Sequence, residues 1–355
     1  LWEIWIIEGL SDNRWAMLTK IHHCVADGIA ATHVLAGLCD DGIGESFASP
    51  ICAAKEPKVR GLLQAIPGVN PLSALGGLWN AWTAITATAA RTALGAAEIA
   101  AGLLHRTTTS LNGSITNLRR YSVARVPLAD IAQVCQTFDV TINDVALAAI
   151  TESYRNMLVQ RGEEPLPDAL RTLVPVSMRS ADAIDKTDNR VSVMLPYLPV
   201  EEQNPVQRLR IVHSRLDRTK SHGQHQAGHA LVSMANRIPF PLTAWTVALL
   251  TRIPQRGVTT LATNVPGPRQ PLQLMSQRVL SVFPIPPIAM QLRTGVAMLS
   301  YAENLFFGIL ADYDSVADID ALARGIEVAV ARLVTISKKR KPVRGRRKLS
   351  LVVND

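Results

Sequence analysis

Cysteine is scarce in this chain, and its few copies are badly spaced for metal or redox chemistry. The four cysteines are Cys24, Cys39, Cys52 and Cys135. None forms a C-x-x-C pair, so the spacing supports neither a zinc site nor a redox motif. Such sparse usage fits a reducing compartment, and no signal peptide is visible in the sequence.

The chain also lacks the short motifs that mark several common enzyme classes. It has no G-x-G-x-x-G, no Walker loop and no H-E-x-x-H, the usual signatures of dinucleotide, nucleoside triphosphate and zinc-protease sites. The nearest approach to a nucleophile elbow, residues 44–48, lacks the second glycine. Cys24 adjoins His23, but neighbours on an extended backbone point apart, so Cys24 is a poor nucleophile for that base.

Acidic residues are absent from a strongly basic stretch near the end of the chain. The net charge is +8, and residues 338–348 contain eight basic side chains. Subtracting them leaves a body with no formal net charge, which lacks the basic face of a nucleic-acid-binding domain. No nucleic-acid partner is therefore expected. The tail, residues 337–355, is either a solvated, disordered terminus or a contact for phosphates of RNA or of anionic lipids.

Aromatic residues make up only 5% of the chain, against 48% hydrophobic residues overall, so aliphatic and alanine side chains must fill the core. A length of 355 residues suffices for two lobes. Strand-like and helix-like patterns interleave, which predicts an α/β (α+β) fold. We divide the chain into the remainder of an N-terminal lobe (1–60), an apolar helical crossover (61–117), a C-terminal lobe (118–336) and the basic tail (337–355).

Local patterns predict most of the secondary structure. The first element is a hairpin of residues 1–10 and 14–21, because a polar turn separates two apolar runs. Asn143 or Asp144 is well placed as the N-cap of a long helix. The remaining predictions are helices at 29–38, 128–138, 145–160, 205–220, 229–237 and 316–336, and strands at 120–126, 171–175, 191–198, 259–264, 296–301 and 305–312.

Two apolar stretches allow several interpretations. Residues 71–90 contain no charged side chain and include Trp79 and Trp82. They fit a buried connecting helix, a membrane-surface helix with interfacial tryptophans or a transmembrane span. Residues 239–253 are apolar as well and could line a lipid-facing surface. Between these stretches, His222, His225 and His229 lie close together in sequence. They fit a polar loop or helix start better than a zinc site, since no carboxylate or cysteine accompanies them.

The most informative stretch is His22-His23-Cys24-Val25-Ala26-Asp27-Gly28. It stands between a strand-like run and a helix-like segment. A general base needs a pKa near neutrality, which histidine has without perturbation. It also needs a fixed ring orientation, which a strand-to-helix junction can supply. Paired histidines can also be ordinary core or loop residues, and Asp-Gly is a common turn signal.

This stretch and four others together resemble one family. Residues 22–28 match the HHxxxDG signature that CoA-dependent acyltransferases share with peptide-synthetase condensation domains. Leu1-Trp2-Glu3 is similar to the end of a PLW motif, and Asn143-Asp144 to an ND motif. Residues 175–179 (Pro-Val-Ser-Met-Arg) and 264–268 (Asn-Val-Pro-Gly-Pro) also have counterparts. The set resembles the bacterial wax ester synthase/diacylglycerol acyltransferase family, in particular its actinobacterial triacylglycerol synthases.

The resemblance carries expectations about fold and extent. It covers the whole chain except the basic tail. It implies two chloramphenicol-acetyltransferase-like lobes of the condensation-domain superfamily, with the active site in a tunnel between them. Because the chain begins in a strand-like run without the proline of PLW, we also expect that an N-terminal segment is missing.

The resemblance also implies the reaction and its residues. It predicts an O-acyltransferase that moves a fatty acyl group from acyl-CoA to diacylglycerol, with long-chain alcohols as a second class of acceptor. His23 is the expected general base, and Asn143 is a candidate oxyanion or positioning donor. Support of the site is expected from His22, Asp27, Gly28, Asp144 and Arg179, with Asp27 and Arg179 as a plausible pair.

No metal and no cofactor are expected, since acyl-CoA is a co-substrate. The expected location is cytoplasmic and peripheral, at the inner membrane or at lipid droplets, because the substrates are apolar. Two other interpretations stay open. One is an amide-forming condensation-domain-like acyltransferase, and the other is a non-catalytic lipid-binding or membrane scaffold.

Overall fold

The structure is a computed structural model, and it describes residues 1–22, 25–26, 28–40, 109–177, 191–221, 257–289 and 291–340. The described strands, in chain order, are β1 (Trp2–Leu10), β2 (Arg14–Ile21), β3 (Arg119–Pro127), β4 (Thr172–Ser177), β5 (Val191–Met194), β6 (Thr260–Val265), β7 (Gln273–Leu274), β8 (Gln277–Arg278), β9 (Thr294–Tyr301) and β10 (Asn304–Asp312). The described helices are α1 (Gly28–Gly37), α2 (Leu128–Phe138), α3 (Ile142–Gln160), α4 (Pro205–Ser221) and α5 (Ile319–Lys339).

The predicted N-terminal hairpin is present. β1 and β2 pair antiparallel from Trp2↔Ile21 onwards, and a short 3-10 turn joins them. Asp12 and Asn13 have positive φ in that turn, a conformation that short polar side chains tolerate better than most. The Arg14 guanidinium closes the turn by donating to the Ser11 carbonyl at 2.9 Å.

A mixed six-stranded sheet forms the centre of the rest of the molecule, in the order β3-β10-β9-β6-β4-β5. β6 pairs parallel with both β4 and β9, and the other pairings in this sheet are antiparallel. The predicted α/β architecture is therefore confirmed.

The two faces of this sheet carry different cores. On one face, apolar side chains of α2, α3, α4 and α5 pack with sheet residues such as Met298 and Phe307 in a large cluster. The alternate residues Leu299 and Phe306 point to the other face. There they pack with the end of α1 and with Leu272. This alternation follows from the two-residue period of a strand.

Buried polar groups tie the sheet to its surroundings. The Tyr154 hydroxyl of α3 lies 2.9 Å from the Thr260 hydroxyl at the start of β6, and it donates to Thr294 of β9 at 2.8 Å. Burial raises the pKa of this tyrosine. Burial also acts to raise the pKa of Asp312. Hydrogen bonds from Thr116 and Ser315 outweigh it, however, and hold that pKa well below its usual range.

Several boundaries differ from the sequence predictions. The last helix begins at Ile319 rather than Val316, because the Val316 amide donates to the Asp312 carbonyl in a turn before it. β5 ends at Met194 rather than Leu198. Among the described residues, no helix is both long and apolar enough to cross a membrane.

Candidate functional site

The histidine motif connects the end of β2 to the start of α1. The His22 amide donates to the Leu1 carbonyl at 2.8 Å, which continues the pairing of the hairpin by one residue. The Val25 amide donates back to the His22 carbonyl at 2.9 Å and turns the chain. The side chain of His22 is exposed, and Ala26 is buried. His23, Cys24 and Asp27 lie outside the described residues.

Gly28 ends this motif and begins α1, where it lies against the last residue of β6. A Cβ atom on Gly28 would be 2.7 Å from Cγ2 of Val265. This separation is shorter than a van der Waals contact between carbon atoms allows. Glycine at this position therefore lets the helix start approach the sheet closely. Because Val265 lies within residues 264–268, two stretches that are distant in sequence meet here.

Residues 264–268 are themselves fixed to the end of β9. The Gly267 amide donates to the Ser300 hydroxyl at 3.1 Å, and the Ala302 amide donates to the Pro268 carbonyl at 2.9 Å. A Cβ atom at Gly267 would collide with the Ser300 carbonyl oxygen. The partner of α1 is thus a rigid, closely packed turn.

Asp40 anchors the other end of α1. Its carboxylate accepts hydrogen bonds from the amides of Met275 at 3.0 Å and Ser276 at 2.6 Å. Its own amide donates to the Gln273 carbonyl at 2.8 Å. Met275 and Ser276 both have positive φ, as in the type I′ turn of a two-residue hairpin. The sequence did not single out Asp40, because its partners are far away in the chain.

A small apolar cluster lies between these two anchors. Ala36 and Cys39 are buried there with Leu299, Tyr301 and Phe306 of the sheet. The Tyr301 hydroxyl accepts from the Leu272 amide at 2.8 Å and donates to the Val279 carbonyl at 2.7 Å. Burial raises the pKa of Tyr301, so the phenol stays neutral. The helix that follows the histidine motif is therefore held to the sheet along its length.

The start of α3 corrects one sequence prediction. The N-cap is Thr141, not Asn143 or Asp144. The Asp144 amide donates to the Thr141 hydroxyl at 3.2 Å, and the Thr141 amide donates to the Asp144 carboxylate at 2.8 Å. This reciprocal pair is a capping box. The prediction was wrong because the cap precedes the apolar run by more residues than the pattern suggested. Asn143 is half-buried in the first turn and does not serve as the cap.

A histidine on α4 extends this polar cluster. Nδ1 of His213 lies 2.8 Å from Oδ2 of the buried Asp144, and its Nε2 lies 3.4 Å from Asp217. Glu152, further along α3, binds the guanidinium groups of Arg208 of α4 at 2.5 Å and of Arg332 of α5 at 2.7 Å. No local pattern singles out His213, because its partner comes from a helix that is remote in sequence.

Several predicted features lie outside the described residues. They include Arg179, so its pairing with Asp27 has no structural description. The others are Trp79 and Trp82, the helix predicted at 229–237, residues 239–253, the three clustered histidines and the part of the tail beyond Arg340. Within the described ranges, no three His, Cys, Asp or Glu side chains are placed to hold a metal ion.

Comparison with solved structures addresses the fold. The wax ester synthase/diacylglycerol acyltransferase from Marinobacter aquaeolei VT8 superposes with a TM-score of 0.63 at 21% identity, covering 95% of this chain and 72% of that one. A cyclization-docking bidomain of the EpoB nonribosomal peptide synthetase from Sorangium cellulosum gives 0.53 at 14% identity, covering 96% and 63%. At these identities the likeness shows a shared fold, as predicted for the condensation-domain superfamily.

Comparison at the sequence level is more specific. A protein of Mycobacterium tuberculosis named "probable diacylglycerol O-acyltransferase tgs1" is 65% identical over 353 residues, which cover 99% of this chain and 75% of the relative. A second protein of that organism, also named as a diacylglycerol O-acyltransferase, is 44% identical over 337 residues, covering 95% and 68%. The model of the wax ester synthase/diacylglycerol acyltransferase catalytic domain matches residues 1–146, and that of the C-terminal domain matches 187–333. Taken with the shared fold, these matches confirm the resemblance, and the chain belongs to the wax ester synthase/diacylglycerol acyltransferase family.

Proposed function

We propose that this protein is an acyl-CoA-dependent O-acyltransferase that forms triacylglycerol from diacylglycerol. Long-chain alcohols form a second acceptor class, which would give wax esters. The names of its relatives support the acceptor. The observation in this chain that carries the proposal is the contact of Gly28 with Val265, because it joins the histidine motif to a second family stretch.

The chemistry requires one base that acts twice. His23 removes the proton from the acceptor hydroxyl while that oxygen attacks the thioester carbonyl carbon of acyl-CoA. The tetrahedral intermediate then collapses, and the carbon–sulfur bond breaks. Protonated His23 returns its proton to the sulfur, so the products are an ester and free CoA. General base catalysis of this kind contributes roughly 10²–10⁴-fold, and binding both substrates in one tunnel supplies the entropic part.

Other residues would support this step. Asn143 is our candidate donor to the intermediate's oxyanion, since the cap of its helix is formed by Thr141 and Asp144 instead. Asp144 would hold the start of that helix. The motif loop would be fixed by a pair of Asp27 with Arg179 and by His22 and Gly28. None of these four residues would take part in the chemistry.

The substrates also define where the protein works. Diacylglycerol and long-chain alcohols reside in membranes and lipid droplets, so the enzyme has to meet such a surface. We infer a peripheral association on the cytoplasmic side, with acyl-CoA arriving from solution. The basic tail is one candidate contact, because anionic headgroups attract clustered lysine and arginine.

A labelled acyl-CoA assay with diacylglycerol and a long-chain alcohol in detergent micelles tests the proposal. Wild-type protein should form labelled triacylglycerol or wax ester, and His23→Ala should lower kcat by roughly 10²-fold or more. His22→Ala is the matched control and should retain far more activity at an equal unfolding midpoint. Full turnover by His23→Ala would refute the mechanism.

The same assay separates the two other interpretations. A long-chain amine offered as the acceptor should give little amide, and a preference for it over both alcohols would favour the condensation-domain reading. A well-folded wild-type protein that binds acyl-CoA without any turnover would favour the lipid-binding scaffold.

A further inference from the structure

One exposed apolar surface is not used by the proposed chemistry. It lies on the β7–β8 hairpin and on the segment that follows. Four large side chains there are exposed, namely Met275 at 77%, Leu280 at 61%, Phe283 at 49% and Ile285 at 48%. Their neighbours Leu274, Val279 and Val282 pack inward against the small cluster beneath α1. We call these four residues the hairpin surface.

The hairpin surface is held rigidly from below. The ring of Phe283 meets that of Phe306 edge-on, with centroids 5.3 Å apart. The Tyr121 hydroxyl donates to the Pro284 carbonyl at 3.1 Å, and that carbonyl occupies the space above Gly308. Asp40 fixes the backbone of Met275 at the tip. Because the backbone that carries these side chains is already held in place, docking on them would require little further ordering of the backbone.

The segment that carries this surface contains basic side chains and no acidic ones, and Asp40 from the end of α1 binds its tip. Arg269 and Arg278 are exposed next to it. Every residue from Arg218 to Ala302 is either neutral or basic, since the sequence contains no aspartate or glutamate between Asp217 and Glu303. Exposed apolar side chains flanked by arginine complement a bilayer interface with anionic headgroups. A second copy docked through the same surface would instead bring the arginines of the two copies together.

We propose that the hairpin surface docks the protein on an anionic phospholipid membrane. This inference rests on the proposed function, which requires lipid acceptors. α1 connects the two places, since its C-terminal end is bound to the hairpin by Asp40 and its N-terminal end carries the histidine motif. Its ten residues span roughly 15 Å. A lipid leaving the bilayer at this surface would therefore travel about one helix length to the site.

Vesicle flotation of the full chain tests the proposal. The vesicles contain phosphatidylcholine alone, or phosphatidylcholine and phosphatidylglycerol in equal parts. Wild-type protein should bind the anionic vesicles more tightly. Met275→Ser with Leu280→Ser should weaken binding to both vesicles on the order of tenfold or more. Arg278→Glu should weaken binding to the anionic vesicles about tenfold and leave binding to phosphatidylcholine unchanged.

Matched controls lie on the helical side of the molecule. Val159 and Val328 are exposed by 53% and 55%, so Val159→Ser with Val328→Ser removes two exposed apolar side chains from α3 and α5. Arg324→Glu on α5 makes the same charge change elsewhere. Both should bind vesicles as wild type does. The basic tail is present in every variant, so its contribution cancels in these comparisons.

Two outcomes would overturn the proposal. One is equal vesicle binding by the hairpin-surface variants and the controls. The other is a wild-type dimer that Met275→Ser with Leu280→Ser dissociates without a change in vesicle binding, which would make the surface an interface between copies. Wild-type turnover in detergent micelles is measured separately, and its absence would refute the proposed function whatever the vesicles show.

Discussion

Helices α1 and α3 both begin next to family motifs, but the structure fixes their starts in contrasting ways. At Gly28, α1 can lie close to the apolar Val265 of the sheet because glycine has no side chain. At Thr141, α3 is held by reciprocal hydrogen bonds with Asp144, and His213 binds the same carboxylate. The start of α1 should therefore be sensitive to volume and the start of α3 to charge and hydrogen bonding.

The largest effect on stability and activity is expected at Gly28, where the space available for a side chain is the limit. Gly28→Ala places a methyl group within 2.7 Å of Val265. Overpacking of this kind costs about 1–3 kcal/mol of unfolding free energy, and the shifted helix start should also lower kcat strongly. Denaturant unfolding and steady-state kinetics measure the two effects.

A compensating change tests the volume argument directly. Val265→Ala removes the methyl group that Gly28→Ala would meet, so the double variant should recover part of both losses. The coupling free energy should reach about 1 kcal/mol and should not depend on salt. Strictly additive losses would mean that the contact does not limit the helix start.

The next largest effect is expected at the charged cap. Asp144→Ala removes the acceptor for the Thr141 amide and for His213, which should cost about 2 kcal/mol. Asp130→Ala in the first turn of α2 is a suitable control, since it removes only a favourable helix-dipole charge worth about 0.5 kcal/mol. Equal unfolding free energies for the two variants would contradict the role assigned to the cap.

The far end of α1 should respond more weakly. Asp40→Asn keeps one acceptor oxygen but loses the charge that two turn amides share, which should cost about 1 kcal/mol. If Asp40 positions α1 for catalysis, kcat should fall while KM for acyl-CoA stays constant. A loss of stability with unchanged kcat would leave Asp40 a purely structural residue.

The smallest effect on the free energy of unfolding is expected at His213, which contacts the cap of α3 from α4. The side chain of His213 is 36% exposed, and polar contacts that reach solvent contribute little to stability. His213→Gln keeps a donor near Asp144 and should cost about 0.5 kcal/mol. A larger loss than that of Asp144→Ala would mean that His213 has another partner.

Local sequence patterns predicted most helices and strands well. The residues that they did not single out depend on contacts between parts of the chain that are distant in sequence. Helix α2 lies at Leu128–Phe138 as predicted, because its apolar spacing is a local property. The start of α3 was misplaced, since either of two polar residues could be its cap on pattern alone. Asp40 and His213 were not recognised at all, because their partners become neighbours only through the packing of α1 and α4. The family stretches were recognised from sequence, but only the structure shows that Gly28 touches Val265.

The short strand β6 fixes the distance between the α3 contact at its start and the α1 contact at its end. Tyr154 binds Thr260 at its first position, and Gly28 meets Val265 at its last. At about 3.3 Å per residue, the two points lie roughly 16 Å apart. Removing one residue between them would shorten this spacer and turn every following side chain to the opposite face. Length variation is therefore to be expected in the connection after residue 268 and not within the strand.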